Sequence, residues 1–218
     1  MFLYFLYWII LYIPIHLLFP SRVVNRKNKP RKRAILACNH LSAIDPVVVG
    51  LYTRRRLHFF IKKELSKNWF MRVNVPLVGS IFVERGQADV GAIKKTLKIL
   101  KEDNVLMIFP EGRRNKDGGE MQELKAGAVT FAVKTGACVI PVILWRKPKV
   151  FRRDYIYYGA PVSFSQYENT RMGQEEKREA TLILTEKMAG AKEELRAWLA
   201  AKRPRLLKRH ERKTKNEK

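Results

Sequence analysis

From residue 34 onward, short apolar runs alternate with stretches of helical period, and this alternation constrains the fold more than any other feature. Ala34 to Cys38, Leu57 to Ile61, Ser80 to Val83, Val105 to Phe109, Cys138 to Leu144 and Tyr155 to Tyr158 have the length and apolar content of strands. Between them, Ser42 to Tyr52 reads as a helix with Pro46 in its first turn, where proline is tolerated. A short amphipathic piece runs through Met71. Asp89 to Lys101 places Val90, Ile93, Leu97 and Leu100 on one stripe, and Leu124 to Thr135 ends at Gly136. A last helix is predicted from Gln174 to Ala201, with Leu184, Met188, Ala191, Leu195 and Trp198 at helical spacing. Such stripes are core and need no cofactor. The pattern predicts an α/β domain with a mostly parallel central sheet flanked by helices. At 218 residues the chain has enough length for one domain with a sizeable core.

Ahead of this domain, Met1 to Phe19 contains no Lys, Arg, Asp or Glu. As a helix it would rise roughly 28 Å, close to the thickness of a bilayer core. A secretory signal would open on basic residues and close on a small-residue cleavage site. This segment opens Met-Phe-Leu-Tyr and closes Leu-Leu-Phe-Pro-Ser, so it is expected to be a retained membrane anchor. Pro14 and His16 interrupt it, which leaves spanning and monotopic insertion as even alternatives. Arg22, Arg26, Lys27, Lys29, Arg31, Lys32 and Arg33 follow at once. Basic residues beside an apolar segment set orientation. Each is worth on the order of 1 kcal/mol near anionic lipid. The expectation is a domain held at the cytoplasmic face of a cell membrane. The predicted organisation is a membrane-anchor helix at 1–20, a basic juxtamembrane collar at 21–33, the α/β domain at 34–201 and a basic, disordered tail at 202–218.

Charge narrows the partners. Forty-four Lys and Arg against 20 Asp and Glu give +24. Such a field draws nucleic acid, anionic membrane lipids, phosphorylated substrates or an acidic carrier protein. No nucleic acid is expected, because aromatics are not interleaved with the basic residues and an apolar N-terminus would be wasted. The two cysteines, Cys38 and Cys138, each sit inside an apolar run and read as core thiols of a reducing compartment. His16, His40, His58 and His210 lack metal-ligand spacing, so no metal and no cofactor are expected.

Chemistry concentrates after two strands. Asn39-His40-Leu41-Ser42-Ala43-Ile44-Asp45 offers an imidazole and, one helical turn later, a carboxylate. An imidazole can take the proton of an attacking alcohol, for roughly 10²- to 10⁴-fold in rate. A carboxylate on its other nitrogen fixes the tautomer and stabilises the imidazolium. Ser42 is read as a cap of the following helix, not as a nucleophile. Phe109-Pro110-Glu111-Gly112-Arg113-Arg114-Asn115 offers a carboxylate, a flexible backbone and two guanidinium groups. Gly79 to Arg85 places another arginine after a third strand. Arginine matches phosphate bidentately, and Gly112 permits close approach of backbone to ligand. In a parallel sheet all of these emerge at the carboxyl edge, where open α/β folds bind ligands.

The order His-x4-Asp, Gly-x2-Phe-x2-Arg, Phe-Pro-Glu-Gly and Val139-Ile140-Pro141-Val142 resembles the glycerolipid acyltransferase family, most closely its bacterial 1-acylglycerol-3-phosphate acyltransferase branch. The four blocks span residues 39–142. The resemblance implies that His40 is the general base and Asp45 its partner. Arg85 and Arg114 would hold the acceptor phosphate, while Glu111 and Gly112 would line the glycerol site with backbone N–H groups open to an oxyanion. Asn39, Gly79, Phe82 and Lys125 fall among the substrate-binding positions, with Gly127 completing Lys-x-Gly. Two departures stand out: Arg113 and Asn115 replace the family's usual Thr and Ser, and Glu84 replaces an Asp. The implied reaction moves a fatty acyl group from acyl-CoA or acyl carrier protein to lysophosphatidate, without an acyl-enzyme. Other lysophospholipids or glycerol 3-phosphate are the alternative acceptors, and a basic membrane- or nucleic-acid-binding protein is the non-enzymatic alternative.

Overall fold

The computed structural model describes residues 2–77, 79–84, 89–115, 121–167, 172–208 and 210. Among them, a seven-stranded sheet carries six α-helices. The strands are β1 (Ser21–Val24), β2 (Ala34–Cys38), β3 (Leu57–Lys62), β4 (Ile81–Val83), β5 (Val105–Ile108), β6 (Cys138–Leu144) and β7 (Asp154–Tyr158). The helices are α1 (Phe2–Leu18), α2 (Asp45–Thr53), α3 (Trp69–Leu77), α4 (Val90–Lys101), α5 (Gly127–Thr135) and α6 (Gln174–Lys202). The sheet order is β1-β7-β6-β2-β5-β3-β4.

β2 lies at the centre because its run Ala-Ile-Leu-Ala-Cys is apolar on both faces, as a parallel strand covered from both sides must be. The two-residue period divides its side chains. Ile35 and Ala37 join Leu106, Val139, Leu184 and Met188 under α4, α5 and α6, while Leu36 and Cys38 join Val48, Val49, Met107 and Val142 under α2. α6 buries the stripe Ala180, Leu184, Met188, Ala191, Leu195 and Leu199. Asp89 caps α4, its side chain accepting from the Ala92 amide at 2.9 Å. Gly136 ends α5 at φ 61°, the left-handed region that favours glycine.

The architecture is the predicted α/β class, with corrections. The sheet is mixed, because β7 runs antiparallel to β6 while the other pairings are parallel. The segment 21–33, expected to be only a basic collar, supplies the edge strand β1, with Val23 and Val24 buried against β7. The sheet therefore begins before residue 34. In the basic tail, residues 204–208 form a further helical turn with Leu207 buried, while 211–218 lie outside the described residues.

α1 spans 17 residues with Pro14 inside. No helix among the described residues is long and apolar enough to cross a membrane, so the spanning alternative is not supported. One side of α1 packs on α2 through His16, whose Nδ1 lies 2.8 Å from the Tyr52 hydroxyl, and that hydroxyl also accepts from the Ser21 amide at 2.7 Å. Leu6, Ile9, Ile10, Ile13 and Leu17 are exposed.

Candidate active site

The connections after β2 and β5 leave the sheet on opposite faces, α2 on one and α5 on the other, which opens a crevice at the carboxyl ends of these neighbouring strands. His40 stands at its mouth. Its Nδ1 is 2.9 Å from Asp45 Oδ2, and its ring stacks on Phe109 with centroids 3.9 Å apart. Asp45 is fully buried, and the same oxygen accepts from the Leu41 amide at 2.7 Å and the Ser42 amide at 2.6 Å. The carboxylate is therefore held by backbone, in the first turn of α2 where the helix dipole favours an anion. With Nδ1 donating to Asp45, Nε2 is the basic nitrogen of the imidazole. Ser42 is not the cap foreseen for it: α2 starts at Asp45 behind Ile44, with no side-chain cap. The Ser42 carbonyl instead accepts from the Asp45 amide at 3.2 Å.

A cavity of about 360 Å³ opens beside the pair. Phe60, Ile93, Met107 and Phe131 give it an apolar wall, and His40, Lys62, Glu84, Gly112 and Lys125 a polar one. Gly112 has φ 70°, and a Cβ there would sit 2.9 Å from Lys125 Cε. What approaches this glycine closely is the lysine chain, which lies across the loop with its ammonium at the cavity. The Lys125 amide donates to the Pro110 carbonyl at 2.8 Å, which ties the loop before α5 to the loop after β5.

The other motif residues divide between bracing and surface. Glu111 is buried, with Oε1 accepting from the His40 amide at 3.2 Å and Oε2 from the Gln122 amide at 3.3 Å. It joins three segments of the site and does not line the cavity. The Asn39 carboxamide is spent on β6, donating to the Leu144 carbonyl at 3.0 Å and accepting from the Leu144 amide at 2.8 Å. Gly79, at φ 82°, lets buried His58 reach its carbonyl through Nδ1, and a Cβ would meet that ring at 2.7 Å. Burial pushes the His58 pKa down. Phe82 alternates with Ile81 and Val83 and so faces away from the cavity that Val83 lines. Two of the loop amides are committed: that of Gly112 donates to the Phe109 carbonyl at 3.0 Å and that of Asn115 to the His40 carbonyl at 2.7 Å. Neither is open to an oxyanion. Arg114 is exposed and does not line the cavity, and Arg85 lies outside the described residues. Arg113 donates from Nε to Gln122 Oε1 at 2.6 Å.

Sequence reasoning passed over Lys62, at the end of β3. The signal was present, since a cation at the carboxyl end of a parallel strand reaches the same edge as His40. Cys38 is fully buried, and desolvation, then the charges of Asp45 and Glu111, push its pKa well above the ordinary thiol range. It stays a thiol within the core. Among the described residues, no three His, Cys, Asp or Glu side chains gather as a metal would require.

A buried carboxylate thus orients an imidazole at the mouth of a cleft that has one charged and one apolar wall. The chain belongs to the acyltransferase family, whose model matches residues 20–145. It is 30% identical over 138 residues to the 1-acyl-sn-glycerol-3-phosphate acyltransferase of Borreliella burgdorferi, covering 62% of this chain and 55% of that one. It is 31% identical over 122 residues to the protein of that name from Bacillus subtilis, covering 55% of this chain and 60% of the relative. The chain thus spans less than two thirds of the length of either relative. The crystal structure of the 1-acyl-sn-glycerophosphate acyltransferase PlsC from Thermotoga maritima superposes with a TM-score of 0.59 at 27% identity, covering 81% of this chain and 72% of that one.

Proposed function

We propose that this protein transfers a fatty acyl group from an acyl thioester, acyl-CoA or acyl carrier protein, to the sn-2 hydroxyl of 1-acyl-glycerol 3-phosphate, forming phosphatidate. The observation that carries the reading is the His40–Asp45 pair, 2.9 Å apart at the mouth of a cavity with Lys62, Lys125, Glu84 and Asp89 in its polar lining and hydrocarbon opposite. In the reaction, His40 Nε2 takes the proton of the acceptor hydroxyl as its oxygen attacks the thioester carbonyl carbon. Asp45 stabilises the imidazolium so formed. The carbon–sulfur bond then breaks, the sulfur leaves as a thiol with the proton returned by His40, and the new ester remains. No acyl-enzyme is needed, because the acceptor oxygen is itself the nucleophile. Lys125 and Lys62 supply positive charge for the acceptor phosphate from the cavity wall. Phe60, Ile93 and Phe131 offer the acyl chain a dry wall. The exposed apolar side of α1 supports monotopic attachment to the cytoplasmic face of a membrane, and the basic residues after it fit anionic lipid.

His40→Ala should lower turnover by about 10²-fold or more while leaving the circular dichroism spectrum unchanged. Near-normal turnover in that variant would end the role of the pair. The acceptor is settled by offering lysophosphatidate, lysophosphatidylglycerol and glycerol 3-phosphate with one acyl-CoA. Preference for lysophosphatidate supports the proposal, and equal or better use of either competitor removes it.

A further inference from the structure

Two groups of exposed apolar side chains meet at the carboxyl edge of the sheet: Leu17 and Leu18 at the end of α1, and Val150 and Phe151 between β6 and β7. α1 ends at Leu18 and feeds β1, which runs parallel to β7 and so starts where β6 ends. The connection from β6 to β7 leaves from the same place. Its tip is a tight turn in which the Arg152 amide donates to the Lys149 carbonyl at 3.2 Å. Val150 and Phe151 occupy the two central positions, Phe151 76% exposed. Phe151 has φ 57°, an outlier for a bulky side chain.

The surroundings hold the turn in this shape. The Phe151 amide donates to the Leu18 carbonyl at 2.7 Å, which pins the tip to the end of α1 beside exposed Leu17 and Leu18. The Arg152 guanidinium donates to the Lys147 carbonyl, and Arg146 donates to the Arg153 carbonyl at 2.7 Å. Two arginines are thus bonded to the loop's own backbone, while Lys147, Lys149 and Arg153 are exposed around the apolar pair. An aromatic tip ringed by cations and joined to an apolar helix matches an interface whose surface is anionic and whose interior is hydrocarbon.

We propose that the Val150–Phe151 turn inserts into an anionic bilayer as a second attachment beside α1. A single helix in the interface leaves the domain free to roll about its axis. A second foothold at the carboxyl edge stops that rotation and turns the cavity mouth toward lipid, where the acyl chain of a lysolipid acceptor resides. The inference concerns attachment and does not depend on which acceptor is acylated.

The test uses the full chain carrying Cys138→Ala, with Cys38 buried, and Val150→Cys labelled with a polarity-sensitive fluorophore. Vesicles of phosphatidylglycerol and phosphatidylcholine should brighten and blue-shift the label, and lipids carrying nitroxide groups in the bilayer should quench it. The same label on Leu182→Cys should report water throughout. Phe151→Ser should weaken partition into these vesicles several-fold without altering the dichroism spectrum. The proposal is overturned if the label at 150 stays aqueous while the protein sediments with vesicles. It is equally overturned if acyl carrier protein, and not vesicles, produces the response, since the turn would then dock a protein. Turnover is not read, so this result stands apart from the fate of the acyltransferase assignment.

Discussion

Glu111 and Gly112 are neighbours in one motif, yet their side chains serve opposite ends of the loop. Glu111 turns inward, where its two oxygens accept the amides of His40 and Gln122, and it acts through backbone. Glu111→Gln replaces one acceptor with a donor that must face an N–H group, at a cost of about 1–3 kcal/mol. The expected result is a fall in kcat of tenfold or more with acceptor KM little changed, because the imidazole shifts while the cavity cations stay. Paired kinetic and thermal-unfolding measurements would check it, and a selective rise in KM would place the carboxylate on substrate instead. Asp154 gives the second prediction at this scale. Burial raises its pKa to about 7, against the opposing pull of its bond from the Tyr155 amide and of Arg146 and Arg152. The folded chain then holds this proton up to about pH 7, whereas the unfolded chain releases it near 3.8. The stability it contributes is full below the lower value and is lost as pH rises through the upper one. Asp154→Asn should flatten the decline between about pH 4 and 7 in urea unfolding, gaining most at the alkaline end; an unchanged slope would remove the residue as its source. The sequence displayed His40 and Asp45 because chemistry and spacing coincide there. It hid the bracing of Asn39, Gly79 and Glu111, because a side chain committed to a distant backbone leaves no local pattern.

Elements were legible where apolar content and length agreed. Ala34–Cys38 and Cys138–Leu144 form strands with the predicted bounds, and the stripe of α6 packs as its spacing requires. β1 escaped notice because only two of its four residues, Val23 and Val24, are apolar and the basic residues around them read as a solvated collar. The sequence predicts helix from Leu124, but helical structure starts at Gly127, and the irregular residues are what bring Lys125 over Gly112. Period alone cannot reveal such a displacement, since Leu124 is apolar and buried although it lies outside the helix. The cavity wall supplies the prediction at this scale. Phe131 of α5 faces Phe60 of β3 with ring centroids 6.3 Å apart, and both line the cavity. Phe131→Leu should open that wall and shift acyl preference toward longer chains, read as relative kcat/KM across saturated acyl-CoA from dodecanoyl to octadecanoyl. An unaltered profile would mean that the chain lies elsewhere.

At the scale of the molecule, one direction organises everything described. The central parallel strands send their carboxyl ends to a single edge, and the imidazole, the cavity cations, the end of α1 and the Phe151 turn all gather there. The sequence implied this convergence for His40 and Glu111, whose strands announce themselves. It could not imply it for Phe151, because β7 reverses direction and β1 is scarcely visible. The position of β1 also bears on handling the protein. An investigator wishing to remove the greasy leader for crystallisation would naturally cut at the start of the obvious domain, near Ala34. That cut would strip away a whole margin of the sheet, leaving the backbone of β7 bare along one side and ready to pair with another molecule. The leader and the α/β body share a seam, and a division that keeps every strand of the sheet lies before Ser21.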